Sequence, residues 1–235
     1  MQTIGIRRLI NRALKSGHGA LSEFDSKRVL AAYGVPVTRE KLVDSAAAAT
    51  KAADGLGYPV VLKGCAPDLL HKTEAGLVAV GLGSAKDVET AFKTLSSHAG
   101  PDFTGGYLVQ EMIRGERELM IGMTRDEQFG PSVMFGLGGI FTEVLEDVAF
   151  RLAPLSLTDA RHMMAEIRAA RILDAVRGMP RVDRAALARA IVGVGKAAAD
   201  NPEIAEIDIN PLIIFGSKPV AVDGLVILNA DGASK

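Results

Sequence analysis

The sequence predicts a mixed α/β chain of the α+β kind. Capped, helix-forming stretches alternate with short apolar runs over the first hundred residues. Strand-like runs then cluster after Pro101, and Ala-rich helical stretches return from Thr158 before strands close the chain. The chain has 235 residues, 48% of them hydrophobic and 23% charged, enough apolar mass for a large core and too little charge for disorder.

Each element has a local cause. Residues 1–20 read as an N-terminal helical extension, with Arg7, Arg8, Arg12 and Lys15 around Ile4, Leu9 and Leu14. Ser22-Glu23-Phe24-Asp25 has the capping-box form and opens a helix that runs to about Tyr33 and stops at Gly34. An extended segment, Val35-Pro36-Val37-Thr38, follows. Ser45 begins an Ala-rich helix that ends near Gly55-Leu56-Gly57, and Tyr58-Pro59-Val60-Val61-Leu62-Lys63 is a short strand. Gly64 to Gly76 reads as a loop, Leu77-Val78-Ala79-Val80 as a strand, and Ser84 as the cap of the next helix.

The pattern changes near Gly100-Pro101. Tyr107 to Met112 and Glu118 to Met123 alternate like two strands of a hairpin turning at Arg114-Gly115. Pro131 to Phe135 is a further strand, and Gly136-Leu137-Gly138-Gly139 a flexible loop. Helices are expected from Thr158 and over residues 183–200. Residues 204–209, 212–215 and 219–222 read as closing strands, with a frayed tail over 229–235.

Several function classes drop out. A net charge of −1 leaves no basic excess to neutralise a nucleic-acid backbone. No run of about 18 apolar residues is available to cross a membrane. The start lacks the apolar core of a secretory signal; an organelle transit peptide and a short amphipathic helix both remain open. One cysteine, Cys65, permits neither an internal disulfide nor a Cys-based zinc site, which suits a reducing cytoplasm. Gly195-Lys196 continues to Ala197 and lacks the earlier glycine of a Walker A loop. Gly136-Leu137-Gly138-Gly139 has Phe141 where a dinucleotide fingerprint needs its last glycine.

Four constellations remain. Lys63 ends an apolar strand just before Gly64; it is either a cation set beside mobile backbone amides to grip phosphate, or a strand-end lysine with its stem packed and its head in water. His71 lies next to Lys72; it is either a neutral imidazole able to accept a phosphoryl group, with Lys72 offsetting the charge, or a surface histidine without a role. His18, His98 and His162 have no comparable setting. Glu206, Asp208 and Asn210 alternate with Ile207 and Ile209, so a strand would put the three oxygen-bearing side chains on one face, as a hard Mg²⁺ ion prefers. Asp223 lies close enough in sequence to return to that face; a half-exposed polar strand face is the other reading. Glu111 and Met112, with Glu118 after a turn, offer a strand edge to a base and a carboxylate to a ribose, or are ordinary hairpin residues.

Taken in order, five segments resemble the ATP-grasp half of the NDP-forming acyl-CoA synthetases. They are Tyr58-Pro59-Val60-Val61-Leu62-Lys63, Ala66-Pro67-Asp68-Leu69-Leu70-His71-Lys72-Thr73, Gly136-Leu137-Gly138-Gly139-Ile140-Phe141, Arg151-Leu152-Ala153-Pro154-Leu155 and Glu206-Ile207-Asp208-Ile209-Asn210-Pro211-Leu212. The resemblance covers about residues 20 to 228 and extends more distantly to the beta subunit of succinyl-CoA synthetase. It implies an ATP-grasp fold of two subdomains, 21–104 and 105–228, holding nucleotide between their sheets. It further implies that Lys63 contacts nucleotide phosphates, that Glu111 and Met112 lie at the adenine and Glu118 near the ribose, and that Asn210 and Asp223 hold the metal. Lys72, Gly138, Gly139, Glu206 and Asp208 would support them. His71 would relay phosphate between a partner's phosphohistidine and ADP or ATP with Mg²⁺, in the reaction acyl-CoA + ADP + phosphate ⇌ acid + CoA + ATP.

Two departures accompany the resemblance. The chain has no room for the CoA-binding and ligase-like domains, so a CoA-binding alpha-type subunit is expected as partner. Cys65 and Thr142 replace other small or apolar residues without removing a proposed ligand. Another ATP-grasp ligase forming an acyl-phosphate, and a non-catalytic ATP-binding subunit, stand as the alternative functions.

Overall fold

The structure, a computed structural model, describes residues 2–67, 69, 72, 74–139 and 147–229, and its chain divides into two compact units. His71, Thr142 and the tail beyond Asn229 lie outside the described residues.

One unit comprises residues 22–24 and 38–112. Its strands β1 (Glu40–Val43), β2 (Val60–Cys65), β3 (Val78–Leu82) and β4 (Gly106–Glu111) form an antiparallel sheet in the order β1-β4-β2-β3. Helices α3 (Ala46–Leu56) and α4 (Ala85–Ala99) pack on it. Ser45 and Ser84 cap them by accepting from Ala48 and Asp87 amides, and Gly57 ends α3 with φ +88°. Ala49, Ala53, Val88 and Leu95 of the helices meet Val60, Leu62, Tyr107 and Val109 of the sheet. Alternation then assigns Val61, Lys63 and Cys65 to the face turned away from the helices. All six residues of β2 are buried, so both faces of that strand are covered.

The other unit comprises residues 1–21, 25–37 and 113–235. Helices α1 (Gln2–Lys15) and α2 (Glu23–Ala32) open the chain; the first two residues of α2, Glu23 and Phe24, belong to the former unit. Helix α2 ends as the sequence predicts: Gly34 has φ +85°, its N–H donates to the Ala31 carbonyl, and the Val35 N–H donates to Leu30. The strands are β5 (Glu118–Asp126), β6 (Gly130–Leu137), β7 (Val148–Leu152), β8 (Ile204–Phe215), β9 (Lys218–Ala221) and β10 (Leu225–Leu228). Their order is β10-β8-β5-β6-β7, with β9 also paired to β8. Helices α5 (Leu157–Glu166) and α6 (Arg184–Asp200) pack over Ile121, Met123, Val133, Phe135, Ile207 and Ile209.

Four sequence expectations change. Residues 107–112 and 118–123 do not form a hairpin: β4 and β5 belong to different sheets. Period-2 alternation marks strands but does not name their partners. Gly136 and Leu137 are not loop but the end of β6, paired with Val148 and Leu119. Residues 204–209 and 212–215 are one strand, β8. Its pairing to β5 shifts between Leu119↔Leu212 and Ile121↔Ile209, so Asn210 and Pro211 together oppose Met120 as a β-bulge. The bulge moves the core-facing parity from Ile207 and Ile209 to Leu212 and Ile214, which mimics a strand break in sequence. Strands β1, β7 and β10 are additional to the predicted set; each is only four or five residues long.

Candidate functional site

In the unit of residues 22–24 and 38–112, two lysines meet one carboxylate. Lys63, in mid-strand and 7% exposed, donates from Nζ to Glu23 Oε1 at 2.7 Å. Lys72 Nζ donates to Glu23 Oε2. Glu23 is itself 5% exposed. Lys63 is therefore not a strand-end lysine with its head in water. The expectation of mobile amides beside it also fails, because β2 continues to Cys65 and the Gly64 N–H donates to the Leu77 carbonyl at 2.8 Å. Burial, first among several causes, raises the Cys65 pKa, so the thiol stays protonated and unreactive near neutral pH.

Glu111 lies elsewhere in the same sheet. Its partner in the register is Val60, three positions along from the Lys63↔Leu108 pair. Its carboxylate accepts from Arg39 N at 2.8 Å and from Arg39 Nε at 2.7 Å. Strand β4 is not an edge: β1 and β2 flank it, the Glu111 N–H donates to Arg39 O, and the Met112 N–H donates to Pro59 O. Any backbone group offered to a base must come from the strand's end.

In the unit of residues 1–21, 25–37 and 113–235, the remaining candidates gather. The Gly138 N–H donates to the Glu118 carbonyl at 2.9 Å. The Gly139 N–H donates to Asn210 Oδ1 at 3.2 Å. Gly139 has φ +66°, and a Cβ there would lie 2.2 Å from Glu118 Oε2, so a glycine lets the chain pass against that carboxylate. The β8 bulge supplies Asn210 to this corner. Glu206 and Asp208 stand on the sheet face carrying their cross-strand neighbours Thr124 and Gly122, with Ile207 and Ile209 in the core behind. Asp223, between β9 and β10, accepts the Gly224 N–H at 2.8 Å.

The electrostatics of this corner suit a divalent cation. Burial, then the charges of Asp223 and Glu206, push the Asp208 carboxyl up to about 6. Negative charge is thus crowded where a cation would relieve it. Among the described residues no three His, Cys, Asp or Glu are grouped to cage a metal.

Three well-placed residues were not candidates from sequence. Glu23 reads there only as part of a helix start. Arg39 has no motif. Arg117, 2% exposed, donates to the carbonyls of Ile172, Asp174, Pro180 and Gly216 and pins the strand start before Glu118. Each acts through partners far away in sequence, which no local spacing signals.

Comparison with known proteins identifies the family. The ATP-grasp domain family matches residues 12–228. The beta subunit of acetate–CoA ligase (ADP-forming) I from Pyrococcus furiosus is 42% identical over 226 residues, 94% of this chain and 97% of that protein. Acetate–CoA ligase (ADP-forming) I from Archaeoglobus fulgidus is 39% identical over 95% of this chain, which spans 33% of that longer protein. The solved dinucleotide-forming acetyl-coenzyme A synthetase 1 of Ca. Korarchaeum cryptofilum superposes with a TM-score of 0.85 at 39% identity, covering 95% of this chain and 100% of that one. That structure holds coenzyme A and Mg-AMPPCP, with a phosphohistidine segment pointing towards its nucleotide binding site. The chain belongs to the ATP-grasp proteins, within the group of ADP-forming acetate–CoA ligase beta subunits.

Proposed function

We propose that this chain is the nucleotide-binding beta subunit of an ADP-forming acyl-CoA synthetase, an acid–thiol ligase of the cytoplasm. It carries phosphoryl between ATP or ADP and a histidine relay, and works with a CoA-binding alpha-type subunit. The observation that carries the reading is the full-length likeness to the Pyrococcus furiosus beta subunit. Support comes from the two lysines paired to Glu23 in one unit and the Asp208, Asn210 and Asp223 corner in the other. Among the described residues no helix is long and apolar enough to cross a membrane.

The roles are those that the family resemblance implies. Lys63 faces nucleotide phosphates, and Lys72 offsets charge as phosphate reaches His71. Met112, at the end of β4, lies at the base, beside Glu111. Glu118, whose main-chain carbonyl accepts the Gly138 N–H, meets the ribose. Asn210 and Asp223 would hold Mg²⁺, with Glu206 and Asp208 supporting them. The bound ion neutralises phosphate charge during transfer. His71 accepts the phosphoryl group on a ring nitrogen while ADP leaves, and the reverse transfer regenerates ATP.

The test is incubation of the purified chain with γ-labelled ATP and Mg²⁺, followed by intact-mass and acid-lability analysis. Acid-labile phosphate, absent in His71→Ala, is the expected result. Full turnover by His71→Ala with its partner subunit would remove the relay.

A further inference from the structure

Glu23 has no place in the roles above, yet it is the residue that joins the two lysines. Each of its carboxylate oxygens takes one ammonium group: Oε1 holds Lys63 at 2.7 Å and Oε2 holds Lys72. The lysines come from separate places, one inside β2 and one in the segment after it. One planar carboxylate holds both ammonium groups, while main-chain bonds from Gly64 N–H to Leu77 O and from Leu77 N–H to Lys72 O tie the two segments together. Glu23 and Lys63 are buried and Lys72 is partly buried, with side-chain exposures of 2%, 9% and 11%. Two ammonium groups in such a place repel one another unless a counter-charge lies between them.

The Glu23 segment is itself anchored. Ser22 and Phe24, on either side, hydrogen-bond the buried Cys65 thiol on the strand that carries Lys63. The carboxylate is thus set on β2 from two sides. Each lysine is paired with this carboxylate, so neither ammonium group is buried without a counter-charge.

We infer that Glu23 is a positioning residue that holds Lys63 and Lys72 in one phosphate-receiving arrangement. The inference rests on the nucleotide-binding reading above. Lys63 serves nucleotide binding and Lys72 serves transfer, so Glu23 couples the two steps. A purely structural ion pair would affect stability alone.

The experiment compares wild type, Glu23→Gln, Glu23→Asp and Lys72→Met in the full chain, by calorimetric titration with Mg-ATP and by turnover with the alpha-type subunit present. Thermal melts report folding. Glu23→Gln is expected to lower kcat by about ten- to a hundred-fold, as small misplacements of catalytic groups do, and to weaken Mg-ATP binding. Glu23→Asp, which keeps the charge, should recover part of both. Lys72→Met should keep Mg-ATP binding within about three-fold while kcat falls at least ten-fold, a split expected when transition-state contacts are lost. The Glu23→Gln/Lys72→Met double variant should be less impaired than the product of the single effects. A folded Glu23→Gln protein with wild-type kcat and KM overturns the inference. If Glu23→Gln does not fold, Lys72→Met decides, and wild-type turnover by that variant overturns it. A wild-type chain that binds no Mg-ATP overturns the nucleotide reading itself, and the role of Glu23 with it.

Discussion

Arg117 shows how one side chain can hold a site it never touches. Its guanidinium serves four carbonyls, and its own carbonyl accepts the Ile214 N–H at 3.0 Å, so the chain just before Glu118 is fixed from several directions. Arg117→Met leaves those carbonyls without their donor and should cost at least about 3 kcal/mol, measured as a shift in the urea midpoint. A loss below about 1 kcal/mol, the scale of a single net hydrogen bond, would show that the carbonyls find other partners. Asp208 gives a pH-dependent test. Its folded-state pKa is raised to about 6 from the ordinary aspartate value of 3.8, so the folded protein holds that proton where the unfolded chain has released it. The metal-free protein should therefore lose stability from this group as pH rises from about 4 to about 6, with no further change above. Asp208→Asn should flatten that part of the profile, and Mg²⁺ should oppose the loss in wild type. Parallel profiles for wild type and Asp208→Asn in EDTA would refute the assignment.

At the level of elements, local propensity and packing sometimes disagree. Helix α6 is Ala-rich, and on propensity alone Gly193→Ala should stabilise it by about 1 kcal/mol. Yet a Cβ at Gly193 would lie 2.3 Å from the Tyr33 carbonyl oxygen, a backbone atom with little room to retreat. Gly193→Ala is expected to destabilise by about 1 to 3 kcal/mol, the usual range for overpacking, seen as a lower melting temperature. A stabilised variant would mean that the helix can slide. The caps of α5 and α6 are local, although the sequence reading starts α5 at Thr158, inside the helix. Ser156 and Asp159 form a capping box at the start of α5, and Asp183 caps α6 by accepting from the Ala186 amide. Ser156→Ala should cost about 1 kcal/mol by the same denaturation assay.

For the molecule as a whole, the two units have separate cores and carry different parts of the proposed chemistry. The lysine pair lies in one, and the cation corner in the other. The chain alone is expected to bind Mg-ATP yet form no acyl-CoA from acid and CoA until the alpha-type subunit is added. Acyl-CoA formation by the chain alone would overturn the two-subunit reading. Addition of Mg-ATP at about a hundred times its Kd should stabilise the folded chain by about 2.7 kcal/mol.

Local interactions made much of this protein legible from sequence. Helix caps, glycine stops and period-2 alternation act over a few residues, so α2, α3, α4 and α6, and the face shared by Glu206 and Asp208, could be read directly. The five separated motifs identified the family because their residues carry shared chemistry in a shared order. Tertiary structure alone decided which strands pair, and so moved Tyr107–Met112 and Glu118–Met123 into different sheets. It alone turned an apparent break at Asn210-Pro211 into a bulge within one strand. It alone brought Glu23 to Lys63, forty residues away. Those outcomes depend on long-range pairing and on the cost of burying charge without a partner, and neither leaves a mark in local spacing.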